Sequence, residues 1–335
     1  MLNDQSHALL KTGLTFSGSD YFDMYVYPQK DIVSDYIVQH GNWEAKSTNN
    51  CLERMQSLRA EKGNENENGL VFIDIGGNLG WYSMVMAMHG FRVITFEPNF
   101  KNEFLIRCSM CRMFPGGSEG WLLFNNALGA DSIRGQCHVD TDPNNVGNGG
   151  AVCDGSKSDK PTVEIFRLDD VLMPLFHSNE ITTALIKMDV EGYEISLLRG
   201  INSSLSSKQK IAILMELHQD KYDFEFAKGI FDELLSKGFK MEFIETSSHP
   251  KPRILEPFLL ESPLLISGRR ALWRVKDAQE PKLFNVILDK TFVYNEFTSE
   301  YGYRVARSIC FTRGITFASP RRSIQTRLWR QVYKI

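Results

Sequence analysis

The sequence has no apolar run of the roughly 18 residues that a membrane-spanning helix requires, no internal repeat and no strong excess of either charge. Its formal net charge is −3, which excludes a global electrostatic demand for nucleic acid or an anionic membrane. Histidine is scarce, with 7 residues, and the 6 cysteines (Cys51, Cys108, Cys111, Cys137, Cys153, Cys310) are scattered. The spacing Cys108-Ser-Met-Cys111 has no second half with which to close a structural zinc site. The beginning, MLNDQSHALLKTG, shows no basic segment followed by an apolar run. A cytoplasmic protein with reduced thiols is therefore expected. What is there is ordinary for a globular chain: 335 residues, 42% apolar and 24% charged. Such a chain can bury a substantial core without staples.

Charge is unevenly distributed. Residues 301–335 hold eight Arg or Lys and no Asp or Glu, which leaves the first 300 at −11. This basic end interleaves arginines with Phe311, Phe317 and Trp329. It can pack on the protein's own acidic body or engage an anionic partner, and it carries no recognised RNA-binding signature. Residues 1–60 read as a helical entry or cap segment, with apolar positions at helical spacing over 31–38. The polar run 61–69 reads as a linker. Beyond it, short apolar runs (70–75, 91–96, 121–124, 163–166, 184–188, 211–217, 241–244) alternate with helical patterns. Asp169 is the expected N-cap of one helix and Gly200 the expected stop of another. The Asn- and Gly-rich stretch 140–160 reads as a loop, whose residues 144–150 could close over a site. Residues 271–275 could form a closing strand. Strands joined through helices imply right-handed crossovers and a doubly wound, mostly parallel α/β sheet. The expected organisation is an entry segment over 1–60, a main domain over 70–276 and a C-terminal extension over 277–335.

In such a sheet, ligands bind beyond the carboxyl ends of the strands. Strand one ends in Asp74-Ile-Gly-Gly-Asn-Leu-Gly80 and leads directly into a helix. Strand two ends in Phe96-Glu-Pro-Asn99, so that Glu97 can accept both hydroxyls of a ribose. A dinucleotide needs the G-x-G-x-x-G cradle for its pyrophosphate, and that triplet is missing. Asp74 before the loop would repel phosphate but attract an ammonium group. Both features favour S-adenosylmethionine over NAD.

The run Val71-Phe-Ile-Asp-Ile-Gly-Gly-Asn-Leu-Gly-Trp-Tyr-Ser83 resembles the first motif of the FkbM-type methyltransferases, D-x-G-A-N-x-G, with Gly77 in place of alanine. Phe96–Asn99, Asn125-Asn-Ala-Leu-Gly129, Arg167-Leu-Asp-Asp-Val-Leu172, Lys187-Met-Asp-Val-Glu-Gly-Tyr-Glu194 and Met215-Glu-Leu-His218 resemble its later motifs, in family order. The resemblance spans about residues 20–250. It implies a class I methyltransferase fold, with six parallel strands and one antiparallel, binding S-adenosylmethionine. It also implies that Asp74, Gly76, Asn78 and Gly80 line the methionine half, that Glu97 takes the ribose and that Asn126 contacts adenine. Family members chiefly methylate oxygen, on sugars and other hydroxylated metabolites.

A hydroxyl acceptor needs a group to take its proton. Carboxylates and a histidine cluster after strands four and five: Asp189, Glu191, Glu194, Glu216 and His218. Asp189, Glu191 and His218 are the catalytic candidates, whereas Glu194 also suits a helix start. Asp189 and Glu216 could instead share a hard divalent cation. Trp43 and Glu44 could cap the site from the entry segment. An NAD(P)-dependent oxidoreductase and a non-catalytic protein binding partners through the basic tail are the competing readings.

Overall fold

The computed structural model describes residues 8–13, 21–62, 69–117, 120–131, 133–153, 160, 162–190, 192–216, 234, 237, 239–244, 253–255, 260–266, 270–275 and 285–290. The entry segment opens with an antiparallel hairpin, β1 (Ala8–Gly13) with β2 (Tyr21–Val26). It is therefore not wholly helical, because β2 is a strand that packs against α4 (Phe100–Met113). Two helices follow, α1 (Ile32–His40) and α2 (Ala45–Lys62). Asp31 caps α1 by accepting from the Ser34 N–H, and Gly41 ends it in the left-handed conformation, as the rules for helix ends require.

The main body alternates strand and helix: β3 (Leu70–Ile75), α3 (Trp81–Met88), β4 (Arg92–Phe96), α4, β5 (Trp121–Phe124). A side sheet follows, built from β6 (Ala127–Leu128), β7 (Ile133–Asp142), β8 (Asn145–Val152) and β9 (Thr162–Phe166). The chain then returns through α5 (Leu168–His177), β10 (Thr183–Met188), α6 (Glu194–Gly200), α7 (Asn202–Leu205) and β11 (Lys210–Glu216). The remaining described strands are β12 (Lys240–Ile244), β13 (Arg253–Leu255), β14 (Leu260–Ile266), β15 (Arg270–Val275) and β16 (Asn285–Lys290).

The main sheet has the order β13-β12-β16-β11-β10-β3-β4-β5. From β11 to β5 every neighbour is parallel, while β16 runs antiparallel between β11 and β12. Six parallel strands and one antiparallel strand are the expected doubly wound α/β arrangement, to which β13 adds an antiparallel edge. The sheet thus draws β16 from beyond residue 276, the limit expected for the main domain. Residues 271–275 do not close the sheet, because β15 pairs with β14 in a separate hairpin.

Strand periodicity divides the core in two. Val71, Ile73 and Ile75 of β3 pack with α5, and Leu70 and Phe72 pack with α3 and the entry segment. All six residues of β3 are buried, as expected of a strand covered on both faces. Among the described residues, no helix is long and apolar enough to cross a membrane.

Several local expectations are corrected. Residues 140–152, expected as part of a loop, belong to a hairpin, with β7 pairing to β8 on one side and β9 on the other, and residues 154–159 of that expected loop lie outside the described residues. The hairpin's glycines weaken a strand signal but allow other backbone and side chains to come close. The register that sets His138 opposite Val152 brings Cys137 opposite Cys153, and the two are joined in a disulfide. Cys111 is also disulfide-bonded. Fully reduced cysteines are thus not what the fold contains, although Cys51 and Cys108 are free thiols. Asp169 does not cap α5. Its carboxylate instead accepts from the Ser203 and Ser204 N–H groups, satisfying the start of α7. Gly200 is the last residue of α6 rather than the one after it, and it is packed so closely on the Gly129 carbonyl that no side chain fits.

A Cβ at residue 200 would overlap the Gly129 carbonyl oxygen, whereas one at Gly116 would meet nothing within 4 Å. Urea unfolding should therefore show Gly200→Ala less stable by about 1–3 kcal/mol, with Gly116→Ala within about 0.5 kcal/mol of the parent.

Candidate active site

The turn after β3 is shaped by backbone. The Gly76 and Gly77 N–H groups both donate to the Phe96 carbonyl, which ties the loop to the end of β4. Gly76 has φ +78°, and its Cα lies against the Asp189 carbonyl, leaving no room for a side chain. Asn78 also takes a positive φ, 49°. Its N–H donates to Glu97 Oε2 at 2.7 Å, while Glu97 Oε1 accepts from Asn99 N at 2.9 Å and Asn102 Nδ2 at 3.2 Å. Glu97 is 4% exposed. Burial pushes its pKa up to about 8, against the opposing pull of these hydrogen bonds.

A cavity of about 320 Å³ opens over this turn, a size that suits a small-molecule ligand. Gly76, Asn78, Glu97, Asn126, Lys187 and Asp189 are among its lining residues. Asn78 Oδ1 and Asn126 Oδ1 are buried and have no hydrogen-bond partner. The β7–β8 hairpin forms the roof, and the entry segment fastens it. Gly147 N donates to Asp31 Oδ1 at 3.0 Å and Val146 N to the Lys30 carbonyl at 2.9 Å. Asn102 Nδ2 donates to the Gly147 carbonyl at 2.8 Å. Trp43 and Glu44 line the same cavity. Glu44 is held with φ 42° and accepts from the Tyr82 hydroxyl at 2.6 Å.

Beneath the cavity lies a buried polar row. Register places Lys187 of β10 beside Asp74 of β3, and Asp74 beside Thr95 of β4. Asp74 Oδ2 accepts from Ser83 Oγ at 2.6 Å, and Ser83 Oγ is also 2.6 Å from Thr95 Oγ1. Burial raises the Asp74 pKa, while Lys187 pulls it back. The Lys187 ammonium is 3.9 Å from Asp74 Oδ1, 3.1 Å from Asp189 Oδ2 and 4.8 Å from the Tyr82 ring centroid. Although burial opposes its charge, Asp189 and Asp74 more than compensate and raise its pKa.

A family model described as the methyltransferase FkbM domain matches residues 74–241, half of the chain. The chain belongs to the FkbM methyltransferase family. No curated protein matches it. Similar solved structures include a precorrin-6Y C5,15-methyltransferase from Geobacter metallireducens GS-15 (10% identity, 71% of this chain and 88% of that chain, TM-score 0.31). Another is the glycopeptide N-methyltransferase MtfA complexed with S-adenosyl-L-methionine (10% identity, 76% and 97%, TM-score 0.32). A third is the tRNA (m1A58) methyltransferase TrmI from Aquifex aeolicus (11% identity, 81% and 79%, TM-score 0.33). Likeness at this level bears on neither substrate nor mechanism.

Within the FkbM domain the candidate residues separate. Gly76, Asn78, Glu97, Asn126 and Asp189 meet at the cavity. Asp74 and Gly80 are not among the residues lining it. Asp74 is turned under α3 by its bond to Ser83, and Gly80 packs on Ile106 at the start of that helix. Glu194 is fully buried and accepts from the Val190 and Gly192 N–H groups, so it closes its own helix start. Glu191, His218 and the side chain of Glu216 lie outside the described residues. Among the described residues, no three His, Cys, Asp or Glu converge for a metal. Reasoning from the sequence overlooked Lys187 and Tyr82 as cavity residues and Asp31 as the fastener of the roof. Lys187 could have been found from its place two residues before Asp189, on a strand beside β3.

The Glu97 pKa sets a pH signature. A carboxyl raised from 4.5 to about 8 contributes stability that is complete below 4.5 and is lost as pH rises through about 8. The urea midpoint of the ligand-free protein should fall over that window, and Glu97→Gln should flatten this component of the profile.

Proposed function

We propose that the cavity binds S-adenosylmethionine and that the protein methylates a hydroxyl on a small molecule or sugar. The cofactor reading rests chiefly on Asn78, Glu97 and Asn126, which line one cavity, and on the amide oxygens Asn78 Oδ1 and Asn126 Oδ1, which are buried without hydrogen-bond partners. Buried acceptors without partners are costly unless a ligand supplies donors. Ribose hydroxyls, an ammonium group and the adenine amine are all donors. Glu44 and Asp189 make the lining acidic, which suits a ligand with cationic groups and disfavours the pyrophosphate of NAD.

When bound, S-adenosylmethionine supplies an activated methyl group and a neutral leaving group. The protein's part is alignment and proton removal. Glu97 would accept the ribose hydroxyls, Asn126 would meet the adenine edge, and Gly76 and Asn78 would shape the wall beside the methionine half. Asp189, partly exposed at the end of β10, is the described candidate for receiving the acceptor's proton. Glu191 and His218 are the other candidates. A sugar or comparably sized hydroxylated molecule would enter between the Trp43–Glu44 wall and the end of β10. Disulfide-bonded cysteines favour an oxidising compartment over the cytoplasm that the sequence suggested.

Calorimetric titration of the full chain with S-adenosylmethionine and, separately, NADH tests this reading. Binding of the methyl donor without NADH is expected, and Asn126→Ala should weaken it by roughly tenfold, the worth of one buried hydrogen bond. Binding of NADH alone would overturn it.

A further inference from the structure

If the cavity takes S-adenosylmethionine, the charges along its wall assign one more contact. We propose that the Lys187 ammonium binds the carboxylate of the cofactor's amino-acid tail and makes the site selective for a ligand that carries it. This rests on the cofactor reading above and adds a residue to it.

Four charged side chains line the cavity among the described residues: Glu44, Glu97, Lys187 and Asp189. Three are acidic and Lys187 is the single cation. A methionine tail brings one ammonium and one carboxylate. The ammonium can be met by Asp189 or Glu44, but without Lys187 the carboxylate would face these two acidic groups and a buried carboxyl, with no cation beside it. Placing an anion among carboxylates in a half-buried cavity is strongly unfavourable. Lys187 is therefore the described side chain that can compensate it.

Position and preorganisation agree with this assignment. Lys187 stands at the carboxyl end of β10, next to Asp74 in register and so next to the strand that leads into the Gly76–Asn78 turn. That turn packs directly on the Asp189 carbonyl, so the ammonium and the turn share one corner of the cavity. The side chain is already fixed, above the Tyr82 ring and 3.1 Å from Asp189 Oδ2. Little rotamer entropy remains to be lost on binding. An ammonium has three protons to donate. The bond to Asp189 takes one, and Asp74 at 3.9 Å is beyond hydrogen-bond range.

The test compares two ligands that differ by the carboxylate alone: S-adenosylhomocysteine and its decarboxylated form, S-adenosyl-3-thiopropylamine. Both are titrated calorimetrically into the full chain and into Lys187→Met. The unmodified protein should bind S-adenosylhomocysteine roughly ten- to hundredfold more tightly, the worth of a charged hydrogen bond. In Lys187→Met that preference should disappear, with the decarboxylated ligand bound as tightly as before or more so. Its binding there also shows that the site is intact. If the unmodified protein does not distinguish the ligands, or if Lys187→Met weakens both by one factor, the assignment is wrong. Should Lys187→Met fail to fold, Lys187→Arg carries the comparison: a changed ratio between the ligands supports the contact and an unchanged ratio overturns it. Binding of neither ligand to the unmodified protein would instead remove the cofactor reading itself.

Discussion

The buried row Thr95–Asp74–Lys187 on the α3 face of the sheet is the constraint on which the site depends. Three adjacent strands each place a buried polar side chain next to its neighbour in register on a face that is otherwise mostly apolar, and none of the three is solvated. Ser83 from α3 satisfies one side of Asp74 and joins it to Thr95, while Trp121 Nε1 donates to Thr95 Oγ1 from β5. Removing one partner from a buried charge pair typically costs about 3–5 kcal/mol. The row therefore locks the register of β10, β3 and β4. That register also fixes where three strand ends fall, and with them the Gly76 turn, Glu97 and Asp189. Fold and site are set by the same contacts.

The second dependence is on sequence far from the strand ends. The roof hairpin is tied to the entry segment at Lys30, Asp31 and Ile32, and to α4 through Asn102. The entry helix α2 is tied to α3 through Thr48, whose hydroxyl accepts from Trp81 Nε1 at 3.1 Å. Residues that precede the family-matched region thus complete its cavity. Glu44 belongs to this set, held in a left-handed conformation that a non-glycine residue rarely adopts and that is common at functional positions.

The sheet was legible in the sequence because its strands are buried on both faces and read as unbroken apolar runs. The turn at Gly76 and the acidic residue after β4 were legible for a related reason: close backbone approach admits few residue types. The roof was not. Its glycines and asparagines have low strand propensity, and β8 forms through pairing with β7 and anchoring by Asp31, 116 residues away. Such long-range contacts leave no local period. The disulfide escaped notice for the same reason, since the Cys137–Cys153 pairing follows from hairpin register. Asp74 looked like a cavity residue by position along the chain, but strand alternation puts it under α3 together with Lys187, its neighbour in register, and of the two it is Lys187, with the longer side chain, that lines the cavity.

The central claim is that the ends of β3, β4 and β10 and the β7–β8 roof form one site for S-adenosylmethionine. A crystal structure of the full chain with S-adenosylhomocysteine tests it most directly. The account predicts the ribose on Glu97, the adenine beside Asn126 and the amino-acid tail between Gly76 and Lys187, beneath Gly147. Ligand bound elsewhere, or lying in this cavity with the adenine toward Lys187, would contradict it.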